Sequence, residues 1–91
     1  MAASADIPWD LVAEIRRSKR RSQILYMLKE GGPASATELA NRLDLKTGTI
    51  SNHFWHLKNM DPPVIECITP NQPHHRLYAL TEIGETIQEH V

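Results

Sequence analysis

The chain has 91 residues, a net charge of −1, 41% apolar residues and a single cysteine. That length supports one domain, whose small core buries about 60–65% of the unfolded surface and gains from dimerisation. No apolar run approaches the ~20 residues of a membrane span. Cys67 alone excludes an internal disulfide and fits a reducing, cytoplasmic setting.

Met1 to Ala5 lack the basic and apolar regions of a secretory signal. Residues 1–7 are expected to form a flexible tail and 8–91 the domain. A first helix is expected from near Pro8, with Leu11, Val12 and Ile15 at helical spacing and Trp9 beside them. Ser18 can cap a second helix. Residues 8–30 fit one kinked helix or two, and a break near Ser18 favours two. Ile24, Leu25 and Leu28 form the second buried stripe, flanked by Tyr26 and Met27. Gly31-Gly32-Pro33 ends it.

Ser35 and Glu38 have the spacing of a capping box. In the helix they begin, Leu39, Ala40 and Leu43 face inward. Asp44-Leu45-Lys46 reads as a tight turn with Leu45 beneath it, and Thr47 as the cap of the next helix. There Ile50, Phe54 and Leu57 recur at i, i+4 and i+7 and share one buried face. The outer face is left with Thr47, Thr49, Ser51, Asn52, Trp55 and His56, with Lys58 toward its end. A helix used only for packing normally carries Glu and Lys outward, so these hydroxyl, amide and imidazole groups call for a partner. Asn bonds bidentately to adenine, Ser and Thr bond either base type, and a helix N-terminus with Gly48 can hold a phosphate. The plain alternative is a solvated polar face. Trp55 fits the edge of a DNA contact and fits packing on the following hairpin equally.

Asp61-Pro62-Pro63 stops this helix. Val64 to Ile68 reads as a strand, residues 69–75 as a turn-rich loop, and Arg76 to Leu80 as the returning strand. His74, His75 and Arg76 mark the tip. Arg76 suits a minor groove or a phosphate, and the imidazoles become better donors when protonated. Thr81 caps a last helix with Ile83, Ile87 and Val91 at i, i+4 and i+8. The fold expected is mainly α with a small β-hairpin, a winged helix-turn-helix whose recognition helix covers about 47–60 and whose wing covers about 64–80.

Ile50-Ser51-Asn52-His53-Phe54-Trp55-His56-Leu57 resembles the recognition helix of ArsR-type repressors, apolar-Ser-x-His-Leu-x-x-Leu, with Phe54 in place of the usual Leu. Arg76-Leu77-Tyr78-Ala79-Leu80-Thr81-Glu82-Ile83-Gly84-Glu85 looks like the wing strand and Leu-Thr-x-x-Gly passage of ArsR- and MarR-type winged helices. With Trp9-Asp10-Leu11-Val12 and Ser18-x-x-Arg21-x-x-Ile24-Leu25, residues 8–90 are similar to small archaeal winged-helix regulators. Asp61-Pro62-Pro63-Val64 departs from the usual Gly-Leu-Val. The resemblance implies sequence-specific binding of double-stranded DNA by a homodimer, with the first and last helices at the interface: Trp9, Leu11, Val12, Ile15, Ile83, Ile87 and Val91.

Charge is unevenly placed. Residues 16–21 hold five positive charges, while residues 61–91 hold five acids against Arg76. Arg20 and Arg21 are the candidates for phosphate contacts. The alternative for this basic run is a solvated face paired with Asp10, Glu14 or the acidic last helix. With so little net charge, specific contacts must carry much of any DNA affinity.

Members of the resembled family often sense metals, but the residues argue against it here. The familiar cysteine pair has no counterpart in Thr37 to Arg42. Thr81 to Val91 lacks the Asp-x-His and second His of the other common site. His53 and His56 lie in the DNA-reading element, and Cys67 with His74 or His75 is an incomplete zinc set. No metal, cofactor or membrane partner is expected. Catalysis has no support, since there is no nucleophile elbow, phosphate loop or carboxylate pair. A winged-helix protein-interaction module is the alternative function.

Overall fold

A computed structural model describes residues 7–91. Residues 1–6, most of the expected tail, lie outside the described residues. Ile7 packs its side chain against the core.

Helix α1 (Trp9–Arg16) begins at Pro8, which occupies the cap position rather than the first turn, and its carbonyl accepts from the Leu11 and Val12 amides at 3.0 Å. The chain then breaks at Ser18, whose hydroxyl accepts from the Arg21 amide at 3.2 Å and starts α2 (Lys19–Gly31). There are thus two helices, as the break near Ser18 favours. Ser22 stitches them by donating its hydroxyl to the Ile15 carbonyl at 3.2 Å. Gly32, at φ 80°, ends α2 in a conformation that side chains rarely tolerate.

Helix α3 (Ala36–Leu43) opens with the full capping box. The Ser35 hydroxyl accepts from the Glu38 amide at 3.1 Å, and the Glu38 carboxylate accepts from the Ser35 amide at 3.0 Å. Its end is a Schellman-type turn. Asp44 is left-handed at φ 57°, the Leu45 amide donates back to the Ala40 carbonyl at 2.9 Å, and Leu45 packs on the core below.

Helix α4 (Thr47–Lys58) starts one residue earlier than expected. Lys46 is the extended cap residue, and no side chain caps the helix. Thr47 is therefore not the cap but the first helical residue, because the turn at Asp44 already returns the chain to extended geometry at Lys46. Asn59 closes the helix by donating its side-chain amide to the Trp55 carbonyl at 2.8 Å, ahead of the prolines and short of the expected residue 60.

Strands β1 (Ile65–Cys67) and β2 (Tyr78–Leu80) pair antiparallel, with Ile65 opposite Leu80 and Cys67 opposite Tyr78. Each is shorter than the expected run. A third segment joins them: Ala34 and Tyr78 exchange amide–carbonyl bonds of 3.0 and 2.9 Å. The wing is thereby tied to the residues that launch α3, and the Tyr78 ring lies 4.7 Å from that of Phe54 on α4.

Helix α5 (Glu82–Gln88) is capped by Thr81, whose hydroxyl accepts from the Gly84 amide at 3.0 Å and donates to the Pro63 carbonyl at 2.8 Å. It ends before Val91. One core runs through all five helices and the hairpin, built on Val12, Ile15, Ile24, Leu25, Leu39, Ile50, Leu57, Val64, Ile65 and Ile87. Three of the residues expected at a dimer surface lie in this core. Val12, Ile15 and Ile87 are fully buried within one chain, since α1 and α5 pack on α2.

Candidate nucleic-acid interface

Burial of Ile50, Phe54 and Leu57 fixes which side of α4 faces out. Thr47, Thr49, Ser51, Asn52, Trp55, His56 and Lys58 are all exposed, as the 3.6-residue period requires. Among the described residues, no side-chain hydrogen bond occupies Thr47, Thr49, Ser51 or Asn52. Gly48 is equally open, with nothing within 4 Å of where a Cβ would stand.

Trp55 is 58% exposed and meets His56 edge-on, with ring centroids 5.2 Å apart. It forms one wall of a groove of about 400 Å³ between α4 and the wing. Thr47, Ser51 and Lys58 continue that wall, and His74, His75, Arg76 and Tyr78 face it from the wing side. Trp55 thus borders the groove without being buried by the wing.

The wing loop is held by side chains that bond to its own backbone. Gln72 donates its side-chain amide to the His74 and His75 carbonyls at 2.6 and 2.9 Å, while Leu77 donates its amide to the Thr69 hydroxyl at 2.9 Å. His75 is left-handed at φ 55°. Arg76 folds back and donates Nε to the Gln72 carbonyl at 2.8 Å, which leaves its Nη groups for other partners. His75 and Arg76 are both exposed.

The basic run divides. Arg20 donates Nη1 to the Gln23 side chain at 2.8 Å on its own helix. Arg21 is half-buried and donates Nε to Nδ1 of His53 at 3.3 Å, joining α2 to α4. Among the described residues the ion pair is Lys29 with Glu85 at 3.5 Å, so α5 is paired by a later turn of α2 and not by the arginines. The suggested pairing of residues 16–21 with Asp10, Glu14 or α5 is absent among the described residues. The pKa of His53 is lowered from its ordinary value of 6.5, first by burial, then by the charges of Arg21, Arg20 and His56.

The sequence does not reveal the Arg21–His53 contact by itself. Its only signal is that His53 follows Ile50 by three residues and so sits at the edge of the buried stripe. No cluster of three or more His, Cys, Asp or Glu occurs among the described residues, and the inward nitrogen of His53 is already bonded. Cys67 is a half-buried strand residue opposite Tyr78.

Residues 18–61 match the family model described as bacterial regulatory protein, arsR family. The match runs from the cap of α2 to the residues after α4, and the wing and α5 follow it in the chain. That stretch, just under half of the chain, is similar to an arsR-family helix-turn-helix; with the wing and α5 around it the chain has the arrangement of a winged helix-turn-helix, which supports a DNA-binding transcription regulator. Comparison with curated proteins and with solved structures gave no match. No helix among the described residues is long and apolar enough to cross a membrane.

Proposed function

We propose that the protein is a sequence-specific, double-stranded-DNA-binding transcription regulator that acts as a cytoplasmic homodimer. Helix α4 enters the major groove, and the wing lies on the flanking minor groove or backbone. The observation that carries this reading is the outer face of α4, where Thr47, Thr49, Ser51 and Asn52 are exposed and uncommitted. Lys58 stands on the same wall, and His74, His75 and Arg76 stand across the groove on the wing. Asn52 and Ser51 read base edges, Thr47 and Thr49 serve the helix entry, and Lys58 and Arg76 grip the backbone. His56, Trp55 and His75 line the edges of the contact. Arg20 and Arg21 approach the phosphates from α2.

The homodimer joins through the surface that α1 and the C-terminal residues leave open. Trp9 is 56% exposed and lies 5.0 Å, ring to ring, from His90. Leu11, Ile83 and Val91 are half-buried, and Leu11 lines a hollow with Trp9. A two-fold dimer sets two recognition helices about 34–36 Å apart on a pseudo-palindromic site.

The test is binding of labelled duplexes across a salt series. Phosphate contacts by this reading give a linear fall of log affinity with log salt concentration, amounting to orders of magnitude between low and moderate salt. Absence of duplex binding at low salt overturns the reading. The paired change Ser51→Ala with Asn52→Ala is expected to cost roughly 10-fold or more on a selected site and little on random duplexes. Equal losses on both would remove the base-reading role.

A further inference from the structure

Arg21 and His53 lie 32 residues apart and meet at one hydrogen bond, Arg21 Nε to His53 Nδ1 at 3.3 Å. A ring nitrogen that accepts carries no proton, so the neutral ring holds its proton on Nε2. The guanidinium has five N–H donors, and this bond uses the one on Nε. The four on Nη1 and Nη2 have no carboxylate partner among the described residues, where the ion pair is Lys29–Glu85. Neighbouring Arg20 differs, because its Nη1 is bound to Gln23 on its own helix. Arg21 is further anchored by its amide bond to the Ser18 hydroxyl. It is thus a planar, half-immobilised fork with unused donors, fastened to the flank of the helix that presents Asn52 and His56.

We infer that His53 is a positioning residue: it holds the Arg21 guanidinium so that its free Nη edge grips a DNA backbone phosphate beside the groove that α4 enters. The inference rests on the DNA-binding reading above. A fixed guanidinium edge matches two phosphate oxygens, and fixing it in advance removes the ordering cost that a free arginine meets on binding. The acceptor state of His53 is maintained at neutral pH because burial and the adjacent cations Arg21 and Arg20, with His56 on its own helix, disfavour protonation. His53 itself reads no base.

The experiment compares Arg21→Ala, His53→Leu, His53→Asn and the double variant Arg21→Ala/His53→Leu. A selected duplex and a random one of the same length are used, each over a salt series. Arg21→Ala lowers the salt slope by about 0.9 per subunit and weakens both duplexes alike. His53→Leu weakens both by about threefold to tenfold, and adds nothing in the Arg21→Ala background. His53→Asn, whose Oδ1 stands where Nδ1 stood, restores most of the loss. Nitrogen-15 spectroscopy of the free wild-type chain shows His53 as the Nε2–H tautomer, a readout that needs no variant to fold. Multiplying losses in the double variant, an Asn variant as weak as the Leu variant, or the Nδ1–H tautomer each overturns the inference while duplex binding stands. Failure of the wild type to bind any duplex overturns the DNA reading, and the inference with it.

Discussion

Gly84 shows what a single position can fix. An added Cβ there would run into the Val64 carbonyl oxygen, and the same carbonyl takes the Thr81 amide at 3.0 Å. The Leu-Thr-x-x-Gly passage is therefore a joint: Thr81 caps α5 and ties it to the chain entering β1, and glycine permits the approach. Gly84→Ala is expected to lower stability by about 1–3 kcal/mol in denaturant titration. Gly48 is the converse case, open to solvent inside the first turn of α4. Gly48→Ala raises helix stability by about 0.5–1 kcal/mol, and weakens duplex binding if a phosphate approaches there. A rise in both stability and affinity would place the phosphate elsewhere. His53 supplies a pH dependence. Its folded pKa lies below the ordinary 6.5, so between that lowered value and about 6.5 the unfolded chain binds more protons than the folded one. The stability contributed by the neutral ring is complete above about 6.5 and is lost as pH falls through that window. Urea midpoints of the wild type should fall more between about pH 7.5 and about pH 5.5 than those of His53→Asn. Equal falls would show that the depression does not contribute.

The helices were legible where their signals are local. Ser18, Ser35 and Thr81 each cap a helix by accepting an amide three residues on, and such a bond needs no knowledge of the fold. Ser35→Ala is expected to cost about 1 kcal/mol, measured by thermal or urea unfolding, because it removes one half of the box at α3. Thr47 looked equally suitable and is not a cap, because the position of a helix start depends on how the preceding turn unwinds at Asp44. The wing was legible as a hairpin in β-branched residues and turn-formers. Its tether was not. A single bridge between Ala34 and Tyr78 joins residues far apart in sequence, and two residues between Pro33 and a helix carry no strand periodicity. The outer face of α4 was legible in full, since burial of Ile50, Phe54 and Leu57 leaves no freedom in which side chains point outward. The Arg21–His53 contact was not, because it depends on how α2 packs against α4.

Amphipathic spacing announces that a helix has a covered side without saying what covers it. In α1 and α5 that side is covered largely from within: Val12, Ile15 and Ile87 belong to the single-chain core. Ile87→Glu would therefore unfold the domain rather than divide a dimer. For the proposed homodimer, the exposed apolar surface is that of Trp9, which meets His90 and borders a shallow hollow with Ile7, Pro8, Leu11, Asp61 and Pro62. Trp9→Glu is expected to move the protein toward monomer in sedimentation while its unfolding midpoint changes little, and an unchanged dimer would remove Trp9 from the interface. The near-zero net charge, −1 over 91 residues, leaves no broad basic field, so in the proposed reading specificity falls to one helix face, a wing and a few cations. Selection of bound sequences from a random duplex pool asks most directly whether α4 reads DNA. The expected outcome is an enriched pseudo-palindrome with half-sites about 10–10.5 base pairs apart, centre to centre, or a multiple of that spacing. That enrichment should fade when Ser51 and Asn52 are both alanine. A pool that emerges with no enriched sequence, or the same sequence enriched by the alanine variant, would contradict it.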